Sequence, residues 1–241
     1  MSTLQAFLTC DLRRVARDQF LIGLLLLGVA MAVGVRFALP AIREQVESFD
    51  LSVYYPLMVS YMVVGVSALM AGSIGGFLLL ETREEGTIRA LAITPVPLAH
   101  YLRILGGALV CLALVLALSN AALIGLGLPG LGPTLACAVV GALFAPAFTY
   151  FVAGFASNKV EAFAVMKISG SLGAVPLGAY FVAEPYQWLF SLYPPYMVCK
   201  AWWVAFDGGA SWALWLLGGV GMTALYLWLL GRHFSAVAAR S

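Results

Sequence analysis

Two histidines, four cysteines and a thin scatter of carboxylates are the residues here with the intrinsic chemistry for catalysis or metal binding. A zinc site needs three or four Cys and His donors brought together, commonly announced by C-x-x-C spacing. Cys10, Cys111, Cys137 and Cys199 are isolated, no C-x-x-C occurs, and only His100 and His233 are available to complete a cluster. The same scatter makes no disulfide framework, so buried free thiols are expected. Asp11, Asp18, Asp50 and Asp207 are too dispersed for the clustered aspartates of a metal-dependent lipid transferase. Ser73 in Ala71-Gly72-Ser73-Ile74-Gly75 and Ser169 in Lys167-Ile168-Ser169-Gly170 lack a nucleophile elbow and read as small residues that let helices approach. No G-x-x-x-x-G-K-[ST] run exists to cradle nucleotide phosphates. The expectation is a protein that is not an enzyme, with no catalytic residue, no metal and no cofactor of its own.

The elements that carry these residues are set by hydropathy. Of 241 residues, 63% are hydrophobic and only 10% charged, with a mean hydropathy of +0.98. A soluble fold would need roughly a quarter of its residues charged, which places this chain in a bilayer. A net charge of +2, without a basic tract or aromatic-basic interleaving, gives no support for a nucleic-acid partner. A membrane-spanning helix takes about 20 apolar residues. Six runs of that kind are bounded by charge, Pro or Gly: 20–39, 55–80, 98–126, 134–156, 162–183 and 211–231. A seventh apolar stretch, 186–206, contains Pro194-Pro195 and Lys200 and reads as re-entrant, with a position on the outer surface as the alternative. Six spans put both termini on one side. The cytoplasmic cations are then Arg13, Arg14, Arg17, Arg83, Arg89, Arg103, Lys159, Lys167, Arg232 and Arg240, against Arg36, Arg43 and Lys200 outside. That asymmetry assigns both termini to the cytoplasm of a multi-pass protein of the cell membrane. Trp188, Trp202, Trp203 and Tyr196 are expected at the outer interface, where amphipathic rings settle. Ala30-Met31-Ala32 resembles a signal-peptidase site, but the apolar run continues past it, so cleavage there is not expected.

Residues 1–19 form a cytoplasmic amphipathic helix lying on the membrane surface, since Leu4, Phe7, Leu8, Leu12 and Val15 follow helical spacing while Arg13, Arg14 and Arg17 turn away. Residues 20–241 then make one six-span domain, all α, with a re-entrant helical segment between spans five and six. Within it Gly65, Ala68, Gly72 and Gly76 run along one stripe of the second span and permit close helix contact, either inside the bundle or between two chains. Pro146 and Pro176 interrupt spans four and five. Lys167 and Asn120 are the polar groups inside spans that either line a cavity or have plainer roles, snorkelling for Lys167 and helix contact for Asn120.

One connection stands apart, the cytoplasmic run from Glu81 to Pro97. Gly86 releases the chain from the second span, Thr87 supplies a capping oxygen for a new helix, and Pro95 and Pro97 stop it. Ile88 and Leu91 share an apolar face, while Glu84, Glu85 and Arg89 present charge. This acidic run, Gly-Thr, short apolar helix and Thr-Pro close resemble the loop of ABC-2 type exporter permeases. The resemblance extends over nearly the whole chain, through the N-terminal surface helix, the six spans, Ser157-Asn158-Lys159-Val160-Glu161 opening the fifth and the broken Pro-rich outer segment. The chain is short even for that family, without a large outer domain. The resemblance implies that Glu84, Glu85, Gly86, Thr87, Ile88, Arg89 and Leu91 form a coupling helix that docks on a separate ABC ATPase subunit, present in two copies and holding ATP and Mg. It also implies a second permease chain, identical or a sister, making a dimer around the pathway. The predominantly apolar spans suit efflux of a hydrophobic or amphiphilic small molecule, a drug-like compound or lipid. The alternatives are a haem-exporter-like permease and a membrane scaffold that anchors a cytoplasmic partner.

Overall fold

The computed structural model describes residues 3–45, 50–87 and 97–238. They form an all-helical bundle with no strand among the described residues. Helix α1 (Thr3–Arg17) is short and amphipathic, and Asp18 caps the helix that follows it by accepting from the amides of Phe20 and Leu21. Among the described residues six helices are long and apolar enough to cross a membrane: α2 (Gln19–Gln45), α3 (Leu51–Glu84), α4 (Leu98–Ile124), α5 (Leu131–Phe155), α6 (Lys159–Ala179) and α9 (Trp212–Ala238). Between the last two lie α7 (Glu184–Gln187) and α8 (Pro194–Phe206).

Span α3 is the centre of the fold. Nearly all its side chains from Met62 to Leu80 are buried, packed chiefly against α5 and α4. The approach to α5 depends on small residues: a Cβ at Gly72 would sit 2.7 Å from the Ala145 carbonyl oxygen, and one at Gly76 would sit 2.8 Å from Val152 Cβ. Thr149 adds a hydrogen bond, its hydroxyl donating to the Gly72 carbonyl at 2.9 Å. Ala68 is buried in the same core, whereas a Cβ at Gly65 would meet only Tyr61 of its own turn. The Gly72 and Gly76 part of the stripe therefore serves contact within one chain. Over Tyr61–Val66 the helix widens to a π turn. Span α5 changes course at Leu143, three residues before Pro146, and α6 breaks at Ala174, just before Pro176.

The outer segment departs from expectation. Trp202 and Tyr196 are 0% exposed and Trp203 5%, so these rings lie inside the bundle and not in an interfacial belt; of the four, Trp188 alone is exposed. The cause is that α8 folds back against α3, α5 and α9, where the indole N–H groups find acceptors: Trp202 donates to the Gly127 carbonyl at 3.0 Å and Trp203 to Ser60 Oγ at 2.8 Å. Lys200, 9% exposed, is held by Glu184 at 2.6 Å and by Gln187 Oε1 at 2.8 Å. Cys137 and Cys199 are buried thiols as expected, but Cys10 and Cys111 are exposed on the isolated chain, because both lie on helix faces turned away from the core.

Candidate functional site

At the end of α3 that leads into the distinctive loop, contacts from several elements converge on its last two turns. The helix stops because Gly86 takes φ +71°, a conformation that L side chains rarely adopt, and its amide closes the last turn onto the Arg83 carbonyl at 3.0 Å. Just before this stop, Glu81, Arg83 and Glu85 are each tied to a different element. Glu81 accepts an ion-paired hydrogen bond from Lys159 at the start of α6. Arg83 reaches α5, donating to the carbonyls of Ala153 at 3.2 Å and Ala156 at 2.6 Å, where free carbonyls and the negative end of the helix dipole favour a cation. Glu85 pairs with Arg14 of α1 at 2.6 Å, and the same guanidinium touches Thr82 Oγ1 at 3.5 Å. The start of α6 is itself fixed by a reciprocal cap, with the Glu161 amide donating to Asn158 Oδ1 at 2.9 Å and the Ser157 amide donating to the Glu161 carboxylate at 2.7 Å. This end of α3 is thus bolted to α1, α5 and α6 at once.

Of the residues expected to couple, Glu84 and Glu85 are exposed, and Gly86 and Thr87 are half-buried. Ile88, Arg89 and Leu91 lie outside the described residues. Sequence reading missed Arg14, Glu81, Arg83 and Lys159 as latch residues. Their partners lie 70 or more positions away in the chain, and the one available signal was the presence of opposite charges at the same membrane edge.

A cavity of about 790 Å³ opens between α1, α2, α3 and α4. Its wall is aliphatic, with Leu25, Ile74 and Leu109 among the lining, and its polar end carries Asp11, His100 and Arg103. Burial pushes the Asp11 carboxyl up to about 6, against the opposing pull of Arg14. Such a site accepts an apolar body with a polar or charged end. Neither predicted polar span residue lines it. Asn120 is 1% exposed and donates to the Met62 carbonyl at 3.3 Å and to Ser67 Oγ at 3.1 Å, which ties α4 to the π turn of α3. Lys167 lies on the exposed face of α6 beside the exposed Ile168, in no ion pair among the described residues.

Comparison with known proteins points in the same direction as this architecture. The family described as "Fluoroquinolones export permease protein Rv2686c-like" matches residues 11–231. Two curated relatives, the fluoroquinolones export permease proteins Rv2686c and MT2760 from two strains of Mycobacterium tuberculosis, are each 31% identical over 238 residues, covering 97% of this chain and 94% of theirs.

Proposed function

This chain belongs to the Rv2686c-like family of export permeases, and on that premise we propose that it is the membrane subunit of an ATP-driven ABC exporter. Its six apolar helices make it a multi-pass membrane protein, and membership in an export permease family is consistent with the ABC-2 type resemblance of its sequence. In the proposed assembly two permease chains enclose the pathway and two ATPase subunits sit beneath, holding ATP and Mg; both termini face the cytoplasm. The segment from Glu84 through Gly86, Thr87, Ile88, Arg89 and Leu91 docks on the ATPase. The observation that carries the reading is the triple anchoring of the end of α3, to α1 through Glu85, to α5 through Arg83 and to α6 through Glu81. A push on the adjoining loop is thereby delivered to four elements together, and differential binding of the ATPase to two arrangements of those elements shifts their populations.

The cargo is an amphiphilic drug-like molecule, of the kind named for the relatives, and the aliphatic cavity with Asp11, His100 and Arg103 at one end is its entry site from the inner leaflet. Lys167, on the exposed face of α6, faces the pathway shared with the second chain. The test is gentle purification of the tagged chain with its native neighbours. An ATPase subunit that co-purifies, and is lost on Gly86→Ala with Thr87→Ala, supports the assembly; a chain recovered without any nucleotide-binding companion refutes it.

A further inference from the structure

A second, smaller cavity of about 500 Å³ lies between α4, α5 and α9 at the end of the bundle that carries the Gly86 loop. Two arginines from different spans meet there, Arg103 from the first turns of α4 and Arg232 from the last turns of α9. No carboxylate lines it, and neither arginine is in an ion pair among the described residues. Both guanidinium groups are already oriented. Arg103 Nε donates to the Ala99 carbonyl at 3.2 Å, which leaves its terminal nitrogens to point onward, and Arg232 lies over the Trp228 ring at 4.9 Å. Beside them the wall is apolar, with Leu102 and Leu227, and one side is closed by Tyr150, whose hydroxyl is spent on the Leu102 carbonyl at 3.4 Å.

We propose that this cavity is a binding site for the headgroup of an anionic phospholipid of the cytoplasmic leaflet. Two guanidinium groups lining one cavity suit a phosphodiester, since each offers paired donors in a planar fork. The depth fits as well. The arginines sit at a helix end, at the level of the headgroups, and the aliphatic wall continues toward the membrane interior, where acyl chains lie. Basic pockets between spans on the cytoplasmic side are the form that recognition of acidic lipid takes. A soluble anion such as free phosphate would gain nothing from Trp228, Leu102 and Leu227, and these commit the site to lipid. The site is independent of the cargo cavity except for Arg103, which borders both.

The experiment uses the full chain in a neutral detergent, with phosphatidylglycerol titrated in and both retained lipid, by mass spectrometry, and thermal midpoint recorded. Wild type retains phosphatidylglycerol over phosphatidylcholine, and Arg103→Gln with Arg232→Gln lowers retention about tenfold or more, the effect of two arginine contacts at a charged membrane surface. Arg13→Gln with Arg17→Gln removes the same charge from exposed positions on α1 and serves as the control for net charge; it leaves retention unchanged. Arg103→Lys with Arg232→Lys recovers part of the binding and shows that the glutamine pair has not merely unfolded. Equal retention by the glutamine pair and wild type overturns the proposal, as does an equal fall in the α1 control. Stabilisation by inorganic phosphate alone to the level reached with the lipid also overturns it, because the site is then one for a soluble anion.

Discussion

Glu85→Lys separates a latch from an idle surface contact. The pair it breaks is short, 2.6 Å between Arg14 Nη2 and Glu85 Oε2, but its side chains are 27% and 54% exposed. An ion pair that wet contributes about 0.2–1 kcal/mol, and placing lysine against Arg14 adds a repulsion of similar size, so the total loss is about 1 kcal/mol. For a chain of this length that lowers the thermal midpoint by about 2–4 °C. The fold survives. If α1 and the loop must move together, however, export is lost almost wholly, because the connection between them has changed sign. Efflux of a fluorescent amphiphile from cells, with the thermal midpoint measured on the same variants, reads both effects. Arg14→Glu alone reproduces the loss, and the exchanged pair, Arg14→Glu with Glu85→Lys, restores efflux, since the same two charges face each other with positions reversed. Glu44→Lys, an exposed position near the far end of α2, carries the same charge change and leaves efflux intact. Wild-type efflux in Glu85→Lys, or an exchanged pair no better than the worse single variant, refutes the latch.

Gly72→Ala forces a Cβ to within 2.7 Å of the Ala145 carbonyl oxygen; overpacking of about 1–3 kcal/mol outweighs a gain in helix propensity of about 1 kcal/mol. Its thermal midpoint therefore falls, whereas that of Gly107→Ala, where nothing lies within 4 Å, holds or rises; the reverse order would disprove the close α3–α5 contact. Asp11→Asn tests the carboxyl that is raised to about 6. Because the folded value lies above the unfolded one, the protonated acid favours the fold, and that contribution is lost as pH rises through 6. The asparagine variant should be more stable than wild type at pH 7.5, by about 1 kcal/mol after allowing for the group's partial exposure. Below pH 4 the difference vanishes, and a pH-independent difference would contradict the assignment. Lys167→Met lowers export with an unchanged thermal midpoint if the lysine faces the pathway. A rise of about 1–3 kcal/mol in stability with export intact would instead place it against lipid.

Hydropathy marked six long apolar runs because the bilayer demands one wherever the chain crosses it, and six helices of that kind are present among the described residues. Helix ends were another matter. Span α2 runs on to Gln45, through Pro40 and Arg43, and α9 continues past Gly231 to Ala238, since a helix does not stop where the hydrocarbon does. The loop's start was readable in Gly86, whose φ of +71° is what a glycine before a capping threonine suggests. The latch was not. Lys159, Arg83 and Arg14 looked like items in a count of cytoplasmic charge, and only folding matches each to its acceptor on a remote segment. Arg36 is a similar case at the other end of the bundle, where it donates to the carbonyls of Leu123 and Ile124 and so closes the end of α4. The tryptophans misled for a related reason. An indole beside a polar neighbour looks interfacial in a sequence, yet Trp202 and Trp203 are buried because their N–H groups have acceptors inside the bundle.

In the proposed exporter the position of α3 explains why its end is the place to apply force. In its apolar window 89% of residues are buried, against 17% for α2 and 11% for α9, so α3 is surrounded by other helices while those two meet the surroundings. A displacement entering at Gly86 therefore goes into a span that packs against four of the other five. From Ser67 to Glu84 that span is regular helix, locked to α5 by Gly72 and Gly76 and by the Thr149 hydroxyl, and close packing of this kind transmits a shift without absorbing it. The regularity ends at the π turn over Tyr61–Val66, where Asn120 from α4 and the Ser67 hydroxyl both donate to the Met62 carbonyl. In the proposed exporter the half of α3 next to Gly86 is the stiff lever, and the first break in its regularity lies where α4 grips it. In the proposed assembly α2, α6 and α9, whose outer faces lack such enclosure, are the surfaces open to a second chain.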